Sequence, residues 1–87
     1  HNSASMAGMI PSAAASWAGA LSQDISVTLD KEGVYVYQCD PHVMMAMVGV
    51  IQVGNAINMD DVREAAANQK SSFIMNGSRL DQYLSQL

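Results

Sequence analysis

Residues 39–47 read CDPHVMMAM and place a thiol, an imidazole and three thioethers close together in the chain. We call this stretch the ligand loop. Cys39 and His42 are three positions apart, so one tight turn can present both side chains to the same point. Pro41 lies between them and stiffens the turn by fixing φ. Met47 follows His42 by five residues and can reach over the same point. The stretch therefore predicts a short, rigid loop that offers soft ligand atoms to a metal ion.

A second imidazole, His1, stands at the first position of the chain, far upstream of the ligand loop. Two imidazoles, one thiolate and one weak axial thioether are the ligand set that blue-copper electron-transfer sites use. The candidate metal ligands are therefore His1, Cys39, His42 and Met47. A lone cysteine is usually a small buried side chain and a methionine-rich stretch usually fills a core, but the spacing of the four residues favours a metal site.

Length and composition are those of one small domain. The chain has 87 residues, of which 49% are hydrophobic and 14% charged, and its net charge is −4. These values argue against a disordered tail, and no basic cluster is present to bind nucleic acid or a membrane surface. The single cysteine excludes an internal disulfide. No apolar run reaches the about 20 residues of a membrane-spanning helix, and no signal peptide is visible.

The pattern of apolar residues predicts three strands. Residues 25–29 alternate between apolar and polar side chains, and residues 34–39 are rich in β-branched and aromatic ones. The turn at residues 30–33 would join these two strands into a hairpin. After the ligand loop, residues 48–53 predict a third strand. Its nearly continuous apolar sequence indicates a strand covered on both faces. Residues 3–24, rich in Ser, Ala and Gly, predict loop.

Two helices are predicted after the strands. Asn58 is a candidate N-cap for a helix over residues 59–67, with two aspartates near the positive end of its dipole. Ser78 is a candidate N-cap for a last helix. Residues 68–77 between them are ambiguous, because an apolar stretch precedes a break at Asn-Gly. The apolar face of the last helix would consist of Leu80, Tyr83, Leu84 and Leu87.

Several short motifs closely resemble the pseudoazurins, a family of bacterial cupredoxins, over essentially the whole chain. The spacing from His1 to Cys39 and the two C-terminal helices fit this family as well. The resemblance implies an all-β, cupredoxin-like Greek-key β-sandwich with two C-terminal α-helices. The chain begins without Met, so we expect it to be truncated at the N-terminus, with the first strands before His1. The matching motifs are HN at 1–2, MIP at 9–11, GVY at 33–35, CxPH at 39–42, MVGV at 47–50 and QVG at 52–54.

The same resemblance implies how the chain is organised and which residues form the site. It implies one cupredoxin-like domain over residues 1–87, with the copper-binding sheet and loops in residues 1–55 and the helices in residues 56–87. Asn2 would tie the first segment to the ligand loop by hydrogen bonding. The implied copper ligands are His1, Cys39, His42 and Met47, and the implied apolar docking rim around His42 is Pro41, Met44 and Met45.

The function implied by the resemblance is single-electron transfer, with one copper cycling between Cu(I) and Cu(II) and no catalytic residues. The protein would be a periplasmic monomer that does not bind nucleic acid or insert into a membrane. Its partners would be redox proteins such as a copper nitrite reductase or a cytochrome c. Pseudoazurins commonly surround the copper end with lysines, whereas the comparable positions here are Ala18, Ala20, Ser26 and Gln38. We therefore expect docking to depend little on charge.

Three other functions remain open from the sequence. A type 1 copper domain of a larger copper oxidase or nitrite reductase would typically carry a histidine next to its cysteine, but the neighbours here are Gln38 and Asp40. A histidine brace formed by His1 and His42 would leave the thiol and the thioethers unused. A copper-storage or zinc-binding module without a redox role would use the same types of ligand.

Overall fold

The computed structural model describes residues 1–87 and consists of one antiparallel sheet with two helices packed against it. The order of strands in the sheet follows the order in the chain. The second and third strands pair along their whole length, so the ligand loop closes one end of this hairpin. The strands are β1 (Ala4–Ser5), β2 (Gly33–Gln38) and β3 (Val48–Val53).

β2 is the central strand and its middle is the most deeply buried part of the sheet. Val34, Tyr35 and Val36 are each at most 1% exposed. β3 occupies one edge of β2, and residues 4–9 occupy the other through β1 and through backbone bonds between Val36 and two methionines. Because β-branched and aromatic side chains pack well on a pleated, buried surface, this sequence favours a central strand.

The two helices cover one face of the sheet. They are α1 (Met59–Gln69) and α2 (Arg79–Ser85), and each buries two side chains that lie one turn apart. Neither helix is long and apolar enough to cross a membrane. The core lies between β2 and the helices, and its buried cluster comprises Met6, Met9, Val34, Val36, Val62, Ala66, Leu80 and Leu84.

The predicted strand at residues 25–29 is wrong, and so is the hairpin that it would form with β2. The structure has no strand or helix at residues 25–29, and both Ile25 and Val27 are 39% exposed. The physical reason is that both edges of β2 already have hydrogen-bonding partners. The alternating segment therefore cannot pair with β2 as predicted, and its pattern alone cannot form a ladder.

Two finer predictions are also wrong, and a third is confirmed only in part. β3 is only partly covered: its residues are half-buried or exposed, and Ile51 is 37% exposed, because β3 is an edge strand. Asn58 and Ser78 do occupy the N-cap positions of the two helices, but neither makes a side-chain capping bond. Asn58 instead accepts a hydrogen bond from the Val34 N–H at 2.6 Å and donates one to the Val34 carbonyl at 2.9 Å. Leu87, assigned to the apolar face of the last helix, is 46% exposed.

Candidate metal centre

The hairpin geometry places Cys39 at the start of the ligand loop. Cys39 follows directly after β2 and is 3% exposed. Its N–H donates to the Met47 carbonyl at 2.9 Å, and the Met47 N–H donates to the His42 carbonyl at 3.3 Å. The two ends of the loop are thereby joined by backbone bonds, which carry β-pairing one step beyond the strands.

A short 3₁₀ helix, Asp40–Met45, shapes the middle of the loop. Pro41 lies in its first turn, where a missing N–H costs nothing. The His42 N–H donates to the Cys39 carbonyl at 3.1 Å, which folds the imidazole back toward the thiol. The turn ends at Ala46, a buried residue in the left-handed region with φ 56°. This reversal directs the chain into β3.

The structure brings together the thiol and both imidazoles. Cys39 Sγ lies 3.4 Å from His42 Nδ1 and 3.7 Å from His1 Nδ1. The two imidazole rings have centroids 4.8 Å apart and are tilted by 50°. His42 is half-buried and His1 is exposed. These three residues form a group whose possible ligand atoms all lie within 4.8 Å of one another.

The donor spacing fits a small metal ion. Bonds of about 2.3 Å to a thiolate and about 2.0 Å to an imidazole hold sulfur and nitrogen about 3.5–3.7 Å apart at angles between tetrahedral and trigonal. The observed distance of 3.7 Å lies in this range, and that of 3.4 Å lies just below it. A sulfur and two imidazoles are also the soft and intermediate ligands that select copper or zinc over magnesium or calcium.

Asn2 connects the segment that carries His1 to the start of the ligand loop. Its side chain accepts a hydrogen bond from the Asp40 N–H at 2.7 Å and donates to Asp40 Oδ2 at 2.8 Å. It also donates to the Gly19 carbonyl at 3.0 Å. The Gln38 amide donates to the other Asp40 oxygen at 2.8 Å. Hydrogen bonds from Gln38 and then Asn2 lower the pKa of Asp40, which stays ionised at neutral pH.

The methionines of the ligand loop are all exposed, in contrast to the buried Cys39. Met44, Met45 and Met47 are 46%, 38% and 37% exposed, respectively. Met47 is joined to the site through its backbone, which bonds both Cys39 and His42. Pro41 is exposed as well, so the outer surface of the ligand loop is mainly apolar.

The segment between the two helices contacts the ligand loop, and these contacts were not predicted from the sequence. Residues 73–78, which we call the connector, lie against residues 44–46, and the Ile74 N–H donates to the Met44 carbonyl at 2.6 Å. Arg79, the first residue of α2, donates to the Ala46 carbonyl at 3.3 Å. The only sequence feature that indicates the connector's conformation is its Asn-Gly pair, and Asn76 indeed has φ 56°.

Comparison with known proteins gives the family. Residues 1–54 match the family of copper binding proteins described as plastocyanin/azurin. The chain belongs to this family. The match covers the whole segment that carries His1, Cys39, His42 and Met47. Copper is therefore the cofactor that the family membership indicates, and the group of His1, Cys39 and His42 is a possible site for it.

The chain is also similar to curated proteins that carry the name pseudoazurin. The chain is 34% identical to "Pseudoazurin" of Methylorubrum extorquens, with all of this chain aligned to 56% of that protein. It is 34% identical to "Putative pseudoazurin" of Rhizobium leguminosarum bv. viciae, covering 55% of it, and 30% identical to "Pseudoazurin" of Paracoccus pantotrophus, covering 57%. The chain thus spans a little over half the length of the curated relatives that it matches.

Solved structures confirm the fold. A pseudoazurin from Methylobacterium extorquens AM1 superposes with a TM-score of 0.79 at 34% identity, over 99% of this chain and 67% of that one. A pseudoazurin from Sinorhizobium meliloti gives a TM-score of 0.70 at 45% identity, over 79% of this chain and 61% of that one. The predicted pseudoazurin-like cupredoxin fold with two C-terminal helices is therefore confirmed, and the sheet described above is its counterpart in this chain.

Proposed function

We propose that this chain is the copper-binding part of a type 1 electron-transfer protein. His1, Cys39 and His42 would supply the three strong ligands of the copper, and Met47 would supply a weak fourth one. The observation that supports this function most strongly is one buried thiol whose sulfur lies within 3.7 Å of a ring nitrogen of each of two imidazoles. Bound copper supplies the single-electron couple, and the protein supplies the ligands and their fixed positions.

The residues around the ligands favour a site that keeps its shape. Electron transfer is fast when the two oxidation states share one geometry, so the scaffold has to resist movement of the ligands. The backbone bonds from Cys39 to Met47 and from Met47 to His42 close the loop, and Asn2 holds its first residues. Cys39 would bind copper as the thiolate, so metal binding would displace the proton from its Sγ.

His42 is the proposed route for the electron, and the apolar surface around it is the proposed docking rim. Pro41, Met44 and Met45 are exposed beside His42. Ile74 and Met75 of the connector are 77% and 56% exposed and bond the Met44 backbone, so they enlarge this rim. Exposed apolar patches of this kind mark protein interaction sites, and methionine adapts to several partner surfaces.

The protein that docks here would be another electron carrier or a redox enzyme, such as a copper nitrite reductase or a cytochrome c. The relatives named pseudoazurin support a redox partner of this kind. The chain itself would act as an electron carrier and not as an enzyme. The protein would be a monomer and would be located in the periplasm.

The test is the colour of the copper-loaded, full-length protein. A copper–thiolate bond should make the oxidised protein intensely coloured, and reduction should bleach it. Cys39→Ser should remove the colour, whereas Met44→Leu, a change in an exposed side chain of the same loop, should keep it. A Cys39→Ser protein that retains the band would overturn the proposed function. Metal analysis should give one copper per chain, and a second tightly bound copper would instead favour a larger copper enzyme.

A further inference from the structure

The connector and Arg79 together bind the second half of the ligand loop through three successive carbonyl groups. The N–H groups of Ile74 and Met75 both donate to the Met44 carbonyl, at 2.6 and 3.2 Å. The side-chain amide of Asn76 donates to the Met45 carbonyl at 3.3 Å. Arg79 donates to the next carbonyl, that of Ala46. We call the carbonyls of residues 44–46 the carbonyl trio.

The loop cannot easily provide these donors itself. Its own N–H groups bond to earlier carbonyls: His42 to Cys39, Ala46 to Val43 and Met47 to His42. The carbonyls at the C-terminal end of a short helix have no partner within that helix and need one from elsewhere. The connector supplies partners for the carbonyls of Met44 and Met45, and Arg79 supplies the partner for that of Ala46.

The position of Arg79 indicates that its role is in this contact. Arg79 is the first residue of α2, at the end of a helix that favours negative charge and disfavours a cation. Its half-buried guanidinium points to the Ala46 carbonyl at 3.3 Å. Ala46 is the residue with φ 56° that turns the chain toward Met47, so this contact holds the backbone immediately before the proposed axial ligand.

The connector is itself fixed to the core at both of its ends. Phe73, at its start, packs against the buried cluster, and Leu80, just after Arg79, is 2% exposed within it. Movement of α2 relative to the sheet would therefore be passed directly to the carbonyl trio.

We propose that the connector and Arg79 form a clamp that positions Met47 and His42, so that the C-terminal helices set the geometry of the copper site. Asn76 and Arg79 are positioning residues in this account and do not contact the metal. This inference rests on the proposed function for its copper readouts, but the clamp itself can be measured in the copper-free protein.

Four variants of the full-length protein separate the clamp from general effects. Arg79→Met removes both the donor and the charge, and Arg79→Lys keeps the charge and one flexible donor. Asn76→Gly removes the side-chain donor while glycine tolerates the positive φ. Arg63→Met is the matched control, since it removes the same group from an exposed position of α1 that makes no contact with the loop.

The first measurement is amide hydrogen exchange of the copper-free protein. Arg79→Met and Asn76→Gly should each speed exchange at Ala46 and Met47 about tenfold, the typical effect of losing one hydrogen bond in a local opening. Arg79→Lys should recover much of the protection, and Arg63→Met should match the wild type. Equal exchange in all four variants would overturn the clamp.

The second measurement is the visible spectrum and midpoint potential of the copper-loaded variants. Arg79→Met and Asn76→Gly should change the relative intensities of the copper–thiolate bands, and Asn76→Gly should do so without any change in charge. Faster exchange in these variants combined with spectra identical to the wild type would overturn the positioning role. An uncoloured wild-type protein would overturn the proposed function instead, and would leave the exchange result to decide the clamp.

Discussion

The two halves of the ligand loop are held by different means. The first half is held by side chains at an exposed site, where Asn2 makes two hydrogen bonds to Asp40 and Gln38 makes a third. The second half is held mainly by the connector and Arg79, which donate to the carbonyls of residues 44–46 and are anchored in the core. One half can therefore be loosened by a single surface substitution, whereas the other changes together with the packing of the helices.

The largest expected effect comes from removing the anchor of the second half. Leu80→Ala should lower the free energy of unfolding by about 2–5 kcal/mol, because it removes buried methyl groups and leaves a cavity next to the connector. Leu80 lies in α2 and is 2% exposed, whereas Leu87 lies just beyond the end of α2 and is 46% exposed. The control Leu87→Ala should therefore change stability by less than about 0.5 kcal/mol. Urea unfolding of the full-length protein measures both, and equal effects would contradict the core described here.

A smaller effect is expected from loosening the first half. Asn2→Ala removes the bonds to Asp40 and Gly19 that hold the segment carrying His1. Residues that orient metal ligands typically contribute 10–100-fold to metal affinity, so copper affinity should decrease by about that factor. Asn68→Ala, in an exposed part of α1, is the control and should leave the affinity unchanged. Competition with a copper chelator measures both, and a wild-type affinity for Asn2→Ala would show that His1 needs no such support.

Of the methionines in the second half of the ligand loop, only Met47 is proposed as the axial ligand. Met47→Leu should raise the midpoint potential, because a weak donor is lost from the copper. Met45→Leu and Met75→Leu remove thioethers at exposed positions near the same loop and should change the potential much less. If Met45→Leu shifts the potential and Met47→Leu does not, the assignment of the axial ligand is wrong.

The smallest expected effect is that of salt on electron transfer. The four cations of the chain are Lys31, Arg63, Lys70 and Arg79, and none lies in the ligand loop. Lys70 is paired with Asp81 at 3.1 Å, and Arg79 faces the Ala46 carbonyl. Salt screens exposed charges over about 10 Å at moderate ionic strength, so docking through an apolar rim should lose little rate as salt rises. A steep decrease in stopped-flow rate would contradict docking through this rim.

The ligand loop, β2, β3 and both helices could be predicted from the sequence because each carries a local pattern. Cys39 and His42 are close in the chain, and the strands and helices have apolar residues at their own characteristic periods. The strand predicted at residues 25–29 also has such a pattern, but strand formation needs a free edge, and β2 has none to offer. Local pattern thus predicts the tendency of a segment but not its partner.

The contacts that support the ligand loop could not be predicted in the same way. Asn58 satisfies the rule for a helix cap, yet its side chain binds the backbone of Val34, which is distant in the sequence. The connector holds Met44 through two backbone donors, and such bonds leave no trace in the choice of side chains. Arg79 is the exception, since a cation at the start of a helix is unusual enough to prompt the question of what it binds.

The arrangement of His1, Cys39, His42 and Met47 around one copper is the central claim, and X-ray absorption at the copper edge of the oxidised full-length protein tests it most directly. The predicted result is one short bond to sulfur and two bonds to imidazole nitrogen, with a weak, longer sulfur contribution. Cys39→Ser should abolish the short sulfur bond, and Met47→Leu should leave it in place. A copper environment of nitrogen and oxygen alone in the wild-type protein would contradict the account.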